Sequence, residues 1–233
     1  MTSECMLRTS ELSKSYQGHQ VIRRLSVELM RGERIALFAP SGAGKTTLIR
    51  ILAGLESATS GILQVNDPAP VVLFQEPRLF PYMTVEENIR LPWRINKAPW
   101  TTQNQKDYQN WLDVCELRAW RDNYPYQLSG GMRQKVALIR GLLGNPTLAL
   151  MDEPFQSIGH TAKLTIIDFI KSCYPNLTIL MATHSLEEIP LLTDSVYYFI
   201  SNQLENPSKL NSFDFQSLFS GLLNPALEPA PRY

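Results

Sequence analysis

The sequence predicts an α/β fold: a mixed sheet with flanking helices, N-terminal antiparallel strands and an inserted helical subdomain. Three observations support it. Short apolar runs typical of buried strands recur at 35–38, 71–74, 148–151 and 177–183, with helical patterns between them. Two strand-like runs joined by a turn at the N-terminus indicate a hairpin. Residues 93–125 have few β-branched runs and interrupt the strand-forming segments, which favours an insertion.

Composition limits the classes of protein to consider. The 233 residues include 22 basic and 22 acidic side chains, whereas a nucleic-acid binder normally carries a basic excess. Cys5, Cys115 and Cys173 are widely spaced without a metal-ligand pattern, as expected for reduced thiols in the cytosol. Neither a membrane-spanning run nor the apolar core of a signal peptide is evident. We therefore expect a protein that stays inside the cell and meets a membrane only through a partner.

The N-terminal hairpin comprises strands over 7–16 and 21–29 with a turn at 17–19. Tyr16 stands where the hairpin turns, and two interpretations stay open. Its ring is either an exposed platform that stacks on a purine or an ordinary hairpin aromatic.

Residues 37–49, Leu-Phe-Ala-Pro-Ser-Gly-Ala-Gly-Lys-Thr-Thr-Leu-Ile, pass from a buried strand through a small-residue loop into a helical pattern. Such a loop lets the backbone approach a triphosphate, and the helix directs its positive dipole end at the anion. Lys45 would reach the β- and γ-phosphates, and the Thr46 hydroxyl would bind Mg²⁺. The nucleotide-binding candidates here are Ser41, Gly42, Ala43, Gly44, Lys45, Thr46 and Thr47.

The phosphate loop departs from the Walker A pattern, Gly-x4-Gly-Lys-[Ser/Thr], because Ala39 replaces its first glycine. Alanine costs about 1 kcal/mol there only if the position requires a positive φ. We expect an extended backbone that tolerates the methyl group. The next helix should end at Gly54, and a strand over 61–66 should break at 67–70.

Gln75 directly follows the strand over 71–74, at the carboxyl end where ligands bind in α/β sheets. It is a candidate for binding Mg²⁺ or the attacking water. Thr84 and Glu87 have the spacing of a capping box, which predicts a helix that Pro92 closes.

Two helical patterns follow. The first places Tyr108, Trp111, Leu112 and Cys115 on one helix face, which is either a partner surface or, as we expect, the core of a small helical lobe. The second runs to residue 143 after Ser129 as its N-cap, with Gly130 and Gly131 in its first turn. Because each glycine costs a helix about 1 kcal/mol relative to alanine, we interpret 129–131 as a second anion site made of exposed N–H groups.

Three more polar residues follow apolar strands. Asp152 suits Mg²⁺ binding, and Glu153 is placed to polarise a water molecule. His184 follows the strand over 177–183; a lone histidine is more often structural, yet at this sheet edge it could donate to a γ-phosphate. A capping box of Ser185 and Glu188 and a final strand over 195–200 are also predicted.

In their order along the chain, these motifs resemble the nucleotide-binding subunits of ATP-binding cassette (ABC) transporters. The specific element is the run Leu-Ser-Gly-Gly at 128–131 between the phosphate loop and Asp152, because many NTPases share a phosphate loop. The resemblance implies a P-loop NTPase fold with an ABC-type ATPase core, and ATP and Mg²⁺ as cofactors. It implies catalytic roles for Lys45, Gln75, Glu153 and His184; nucleotide binding by Tyr16, 41–47, Ser129, Gly130 and Gly131; and Mg²⁺ binding by Thr46, Gln75 and Asp152.

The resemblance also implies partners. In a head-to-tail dimer, the phosphate loop of one subunit and residues 129–131 of the other would close on the same ATP. Residues 75–88 would contact a transmembrane permease at the cytoplasmic face of the cell membrane, with a solute-binding protein as an indirect partner. The expected organisation is one ATPase domain over 1–205, with core segments 1–76 and 146–205 around a helical signature subdomain over 77–145, then a C-terminal helix and tail over 206–233.

The short link over 61–75, the run over 76–88 and the sequence Gly-Met-Arg-Gln at 131–134 resemble the ATPases of bacterial nitrate, sulfonate and taurine importers. Gly159 departs from the family, which usually has Asp there, and this affects contacts across the dimer. Two alternatives remain: a soluble ATPase of this fold that works without a permease, and a nucleotide-binding module without catalysis. The tail should form one helix, packed on the domain or docked on a partner, followed by a disordered end.

Overall fold

The structure is a computed structural model that describes residues 4–67, 69–200 and 203–223, with side chains described to residue 219. Its strands are β1 Cys5–Tyr16, β2 His19–Met30, β3 Arg34–Phe38, β4 Ser60–Val65, β5 Val71–Leu73, β6 Leu148–Asp152, β7 Thr178–Thr183, β8 Ser195–Tyr198 and β9 Ser208–Asn211. Its α-helices are α1 Lys45–Leu52, α2 Val85–Ile95, α3 Thr102–Val114, α4 Gly130–Leu142, α5 His160–Cys173, α6 Glu188–Leu192 and α7 Ser212–Leu223.

The strands form two sheets. The larger has the order β5-β6-β7-β3-β8-β9, parallel except for β9, which is antiparallel to β8. The smaller is antiparallel, with the order β2-β1-β4. The predicted α/β fold, with a mixed sheet and N-terminal antiparallel strands, is confirmed.

The carboxyl ends of four parallel strands meet at one edge of the large sheet. Phe38 of β3 is in register with Thr183 of β7, and Asp152 of β6 is in register with Ala182. Leu73 of β5 pairs with Met151 of β6. This register brings the segments that follow these strands to the same place.

Buried side chains cover both faces of the large sheet. Along β6, Ala149 and Met151 belong to one core cluster, while Leu148 and Leu150 belong to another, as the two-residue repeat of a strand requires. The first cluster includes the helical segment: Tyr108, Trp111, Leu112 and Cys115 are at most 1% exposed. The apolar face of α3 is therefore core, as expected.

Helix α2 passes through Pro92, where the sequence predicted its end. Proline lacks the N–H that would bond to the Asn88 carbonyl, but it leaves its own carbonyl free to accept. The Asn96 N–H donates to the Pro92 oxygen at 3.0 Å, so helical bonding resumes. Trp93 packs edge-on against Trp100, with ring centroids 4.9 Å apart, and this contact secures the last turn.

The capping box predicted for Ser185 and Glu188 is wrong. The Glu188 carboxylate accepts instead from the Lys163 ammonium at 2.6 Å and the Thr183 hydroxyl at 2.9 Å. Helix α6 begins at Glu188 without a side-chain cap. The Glu188 carboxylate, which sequence spacing assigned to a local cap, thus belongs to a partly buried ion pair.

The C-terminal region adds an element that the sequence did not predict. The strand β8 is not the last, because β9 pairs with it and α7 follows directly. The predicted C-terminal helix is confirmed as α7 and packs on the domain through Phe215, which is buried and lies 5.1 Å from Phe38 between ring centroids. The tail after residue 223, and Pro68 in the predicted break, lie outside the described residues.

Candidate functional site

A cavity of about 470 Å³ opens at the carboxyl edge of the large sheet. All of its lining residues except Val21 and Gln156 were predicted from the sequence as site residues. The lining consists of Val21, Ser41, Gly42, Gly44, Lys45, Thr46, Thr47, Gln75, Asp152, Glu153, Gln156 and His184.

Glycines allow the loop between β3 and α1 to adopt its conformation. Gly42 and Gly44 have φ values of +80° and +101°, which side chains rarely allow. At Gly44, a Cβ would also lie 2.4 Å from Cγ1 of Val21, so this position excludes alanine on two grounds. Ala39, in contrast, is not among the residues with positive φ, so its methyl group is tolerated as expected. The predicted contact residue Ala43 is buried, and its N–H donates to the Pro40 carbonyl at 3.2 Å.

Lys45 is held under the loop by backbone oxygens. Its Nζ donates to the carbonyls of Ala39 at 2.7 Å and Pro40 at 3.2 Å. Burial lowers the pKa of this ammonium, while the charges of Glu153 and Asp152 oppose the shift. The loop therefore presents a cation and the N-terminus of α1 to the cavity, an arrangement that suits a polyphosphate.

Thr46 and Asp152 form an oxygen pair at the cavity floor. The Thr46 hydroxyl donates to Oδ2 of Asp152 at 2.6 Å. Burial raises the pKa of Asp152, while Thr46 and Lys45 oppose the shift. A hydroxyl and a carboxylate facing a shared cavity are oxygen ligands of the kind that Mg²⁺ prefers, so these residues fit that ion. Gln75 lines the same cavity, and its Nε2 donates to Oε1 of Gln156 at 2.9 Å.

Glu153 occupies an unusual backbone conformation at the end of β6. Its φ is +49°, and its N–H donates to the Ala182 carbonyl at 2.9 Å. Its Oε1 lies 2.8 Å from Nδ1 of His184, so these two predicted residues contact each other directly. Oε2 lies 3.4 Å from the Thr183 hydroxyl oxygen.

Five predicted site residues do not line this cavity, and one of them is the buried Ala43. Tyr16 is 42% exposed, its hydroxyl bonds to the Glu56 carboxylate, and the Lys14 ammonium lies 4.8 Å from its ring centroid. The other three are Ser129, Gly130 and Gly131 at the N-terminus of α4.

The start of α4 is a capped and partly exposed helix terminus. Ser129 accepts from the Met132 N–H at 3.2 Å, and both Ser129 and Gly130 are exposed. Gly131 has a packing role as well, since a Cβ there would lie 2.5 Å from the Ser157 carbonyl oxygen. The sequence did not reveal this close approach.

Two lining residues were not predicted from the sequence. Val21 gives no local signal, because it comes from β2 and lies next to Gly44 only in the folded chain. Gln156 had a weak signal, being a polar residue shortly after the two carboxylates, but its partner Gln75 is 81 residues away along the chain.

Comparison with known proteins assigns the chain to a family. The profile described as "ABC transporter" matches residues 22–156. The chain belongs to the ABC transporter family. Members of the ABC transporter family with this domain bind and hydrolyse ATP, and the chain is an ATP hydrolase of the ABC type.

Its curated relatives are import ATP-binding proteins. "Aliphatic sulfonates import ATP-binding protein SsuB 2" of Pseudomonas syringae pv. tomato is 35% identical over 185 residues, which cover 78% of this chain and 77% of that protein. "Sulfate/thiosulfate import ATP-binding protein CysA 1" of Shewanella oneidensis is 32% identical over 214 residues, covering 85% of this chain and 57% of the relative. "Spermidine/putrescine import ATP-binding protein PotA" of Bacillus thuringiensis is 30% identical over 212 residues, which cover 86% of this chain and 64% of the relative.

Solved ABC structures have the same fold. "Structure of ATP binding subunit of ABC transporter" aligns with a TM-score of 0.80 at 24% identity and covers 92% of this chain and 93% of its own. The dimeric ABC transporter cassette MJ0796 aligns with a TM-score of 0.78 at 24% identity. The alignment covers 88% of this chain and 99% of the cassette. Among the residues described for this chain, none of the helices has both the length and the apolar character for a membrane crossing.

Proposed function

We propose that this chain is the ATPase subunit of a bacterial ABC importer and drives uptake of a small solute through a separate permease at the cytoplasmic face of the cell membrane. The observation that carries the proposal is the cavity in which Lys45, Asp152 and Glu153 meet. The import names of the relatives at 30–35% identity support the direction of transport. The sulfonate relatives, which the chain covers to 77%, favour a small anion of the nitrate, sulfonate or taurine type.

Every cavity residue except Val21 and Gln156 has a proposed part in nucleotide binding or hydrolysis. Lys45 and the N–H groups of 41–47 bind the phosphates, except the N–H of Ala43, which donates to Pro40. Thr46, Asp152 and Gln75 would hold Mg²⁺. When bound, that ion would neutralise charge on the β- and γ-phosphates. Glu153 orients the attacking water and takes its proton, and His184 holds Glu153 through the 2.8 Å contact. Tyr16, which is exposed at the hairpin turn, stacks on the adenine.

The position of Ser129 and Gly130 supports a head-to-tail dimer. Both residues are exposed at the N-terminus of α4 and do not line their own chain's cavity. A helix N-terminus with free N–H groups suits an anion. We therefore propose that residues 129–131 complete the nucleotide site of a second copy.

The Glu153→Gln variant tests the catalytic proposal. It keeps the size of the side chain but cannot take a proton, so hydrolysis should fall by at least about 100-fold. ATP should then accumulate in closed dimers, which size-exclusion chromatography with and without ATP detects. Glu187→Gln is the matched control, since Glu187 is exposed and does not line the cavity. Normal hydrolysis by Glu153→Gln would remove Glu153 from the mechanism.

A groove along α2 supports the proposed contact with the permease. Its volume is about 670 Å³, and Trp93 and Trp100 line it together with charged residues of α2. Tyr82 and Phe80, in the segment before α2, are 92% and 50% exposed. Exposed aromatic residues beside an amphipathic groove suit a partner helix.

Purification from mildly solubilised membranes of the native cell, followed by mass spectrometry, tests this contact. A polytopic permease should co-purify with the wild-type chain and be lost with Tyr82→Ser. Tyr126→Ser, at another strongly exposed tyrosine that lies outside the segment before α2, should retain it. If only soluble proteins or none co-purify while the chain still hydrolyses ATP, the permease-free ATPase takes the place of the importer.

We also propose a division of the chain that matches its elements. Residues 1–76 and 146–205 form the ATPase core with β1–β8, and 77–145 form the helical signature subdomain with α2–α4. Residues 206–233 contribute β9 and α7, which attach to the core through β8.

A further inference from the structure

A partly buried ion pair lies close to Glu153 and has no part in the mechanism proposed so far. Lys163 of α5 donates to Oε1 of Glu188, the first residue of α6, at 2.6 Å. The side chains of Lys163 and Glu188 are 16% and 3% exposed. Neither residue lines the nucleotide cavity.

Thr183 connects this ion pair to Glu153. Thr183 is the last residue of β7 and is fully buried. Its hydroxyl oxygen lies 2.9 Å from Oε2 of Glu188 and 3.4 Å from Oε2 of Glu153. The N–H of Ser185 donates to the same oxygen at 3.1 Å.

The two distances decide where the single hydroxyl proton goes. Hydrogen bonds between oxygens usually span 2.5–3.0 Å, so Glu188 at 2.9 Å is the acceptor and Glu153 at 3.4 Å is only a neighbour. The Glu188 carboxylate is paired with the Lys163 ammonium and can only accept hydrogen bonds. The hydroxyl proton of Thr183 therefore points toward Glu188. The oxygen of Thr183 is therefore held at a fixed position beside Glu153 without donating to it.

We propose that Thr183, oriented by the Lys163–Glu188 ion pair, is a positioning residue for Glu153. The carboxylate of Glu153 lies between His184 Nδ1, at 2.8 Å from Oε1, and the Thr183 hydroxyl, beside Oε2. Because its proton points toward Glu188, the Thr183 oxygen turns lone-pair density toward Oε2 of Glu153. This repulsion, which a methyl group would not supply, limits the rotation of the carboxylate, and Oε2 keeps its lone pairs free to accept a proton from water. This inference rests on the proposed role of Glu153 as the base.

A purely structural role would give a different result. In that case Thr183 and the ion pair only fasten α5 and α6 to β7, and removing the hydroxyl lowers stability without a specific effect on turnover. Positioning predicts a loss in kcat that is not matched in the KM for ATP, because Thr183 does not line the nucleotide cavity.

The test compares two threonines of the same strand. Thr183→Val removes the hydroxyl at nearly constant volume, and kcat should fall by about 10- to 100-fold with the KM for ATP within about twofold. Thr183→Ser should restore kcat. Thr178→Val is the matched control: Thr178 is equally buried in β7, and its hydroxyl accepts from the Gly32 N–H at 2.9 Å, away from the cavity. Its kcat should stay within about twofold of wild type.

A double variant tests whether Thr183 acts through Glu153. Adding Thr183→Val to Glu153→Gln should not lower the residual hydrolysis further, since the group being positioned is already disabled. All assays are run well below the unfolding temperature of each variant, and Thr183→Ala gives the same comparison if the valine variant does not fold.

Three results would overturn the inference: wild-type kcat in Thr183→Val, an equal loss in Thr178→Val, or an additive loss in the double variant. Hydrolysis by Glu153→Gln at the wild-type rate would instead refute the proposed base. An inactive Glu153→Gln with a normal Thr183→Val would refute the positioning role alone.

Discussion

Gly130 and Gly131 are adjacent glycines in one helical turn with different environments. A Cβ on Gly130 would come no closer than 3.9 Å to the side chain of Ser157. On Gly131 it would lie 2.5 Å from the Ser157 carbonyl oxygen, a contact that requires the backbone to move. The sequence pattern does not distinguish the two glycines. In the structure, Gly130 is exposed and Gly131 packs against Ser157.

Alanine at each position should therefore change stability in opposite directions. Gly130→Ala should raise the free energy of unfolding by about 0.5–1 kcal/mol, the normal gain of alanine in a helix. Gly131→Ala should lower it by about 1–3 kcal/mol, the usual cost of overpacking. Urea denaturation of both variants measures the two changes. Equal effects would contradict the close approach to Ser157.

The reactivity of the Cys115 thiol depends on the place of this residue in the fold. The side chain is fully buried, and burial raises the pKa of its thiol to about 12. Because the thiolate is the reactive form, Cys115 should stay unlabelled by a thiol reagent at pH 8 in the native protein. Exposed Cys173 should react under the same conditions, and all three cysteines should react in denaturant. Peptide mass spectrometry after labelling distinguishes them; equal native rates for Cys115 and Cys173 would contradict the burial.

At the scale of elements, Asn88 organises the segment before α2. Its side chain is fully buried, and Oδ1 accepts from the Phe80 N–H at 2.8 Å. Nδ2 lies 3.0–3.1 Å from the carbonyls of Phe80, Met83 and Thr84. One amide thus satisfies backbone groups of a loop that carries the exposed Phe80 and Tyr82.

Asn88→Leu should destabilise the protein by about 2–4 kcal/mol, because it removes all the hydrogen bonds that the Asn88 side chain makes to the backbone of this loop. The control is Asn96→Leu at the exposed end of the same helix, which should change stability by less than about 0.5 kcal/mol. Thermal unfolding gives the two values, and limited proteolysis should show cleavage near Tyr82 in Asn88→Leu alone. Protection of that segment in Asn88→Leu would show that other contacts hold it.

The sequence predicted elements best where a local pattern coincides with burial. The β3 strand and the apolar face of α3 each combine a strong pattern with a buried environment. Errors arose where a distant partner decided the outcome. Glu188 has the spacing of a cap but pairs with Lys163, 25 residues earlier. The strand β9 has little apolar pattern and exists because β8 offers it an open edge.

For the whole molecule, the proposed head-to-tail dimer predicts a specific complementation. Lys45→Ala would disable the phosphate loop, and Ser129→Arg would block the proposed site at the start of α4. Each variant alone should be inactive. Mixed in equal amounts, half of the dimers contain one of each chain, and one of their two sites is intact, so about a quarter of wild-type activity should return.

The mixing experiment distinguishes the dimer from an active single chain. Size-exclusion chromatography with ATP shows whether the mixed chains associate. Two Lys45→Ala chains mixed with each other serve as the control and should stay inactive. A chain with Ser129→Arg that hydrolyses ATP at the wild-type rate by itself would contradict a composite site.

The strand order of the large sheet has a consequence for how the protein is made. The strand β3, which leads into the phosphate loop, has β7 and β8 as its two neighbours, and these strands begin at residues 178 and 195. During synthesis, β3 leaves the ribosome more than a hundred residues before either neighbour. A nascent chain that ends before β7 therefore carries the whole loop sequence but lacks the strands that hold it in place. Nucleotide binding should therefore appear late in translation. Its appearance would indicate that the fold is complete.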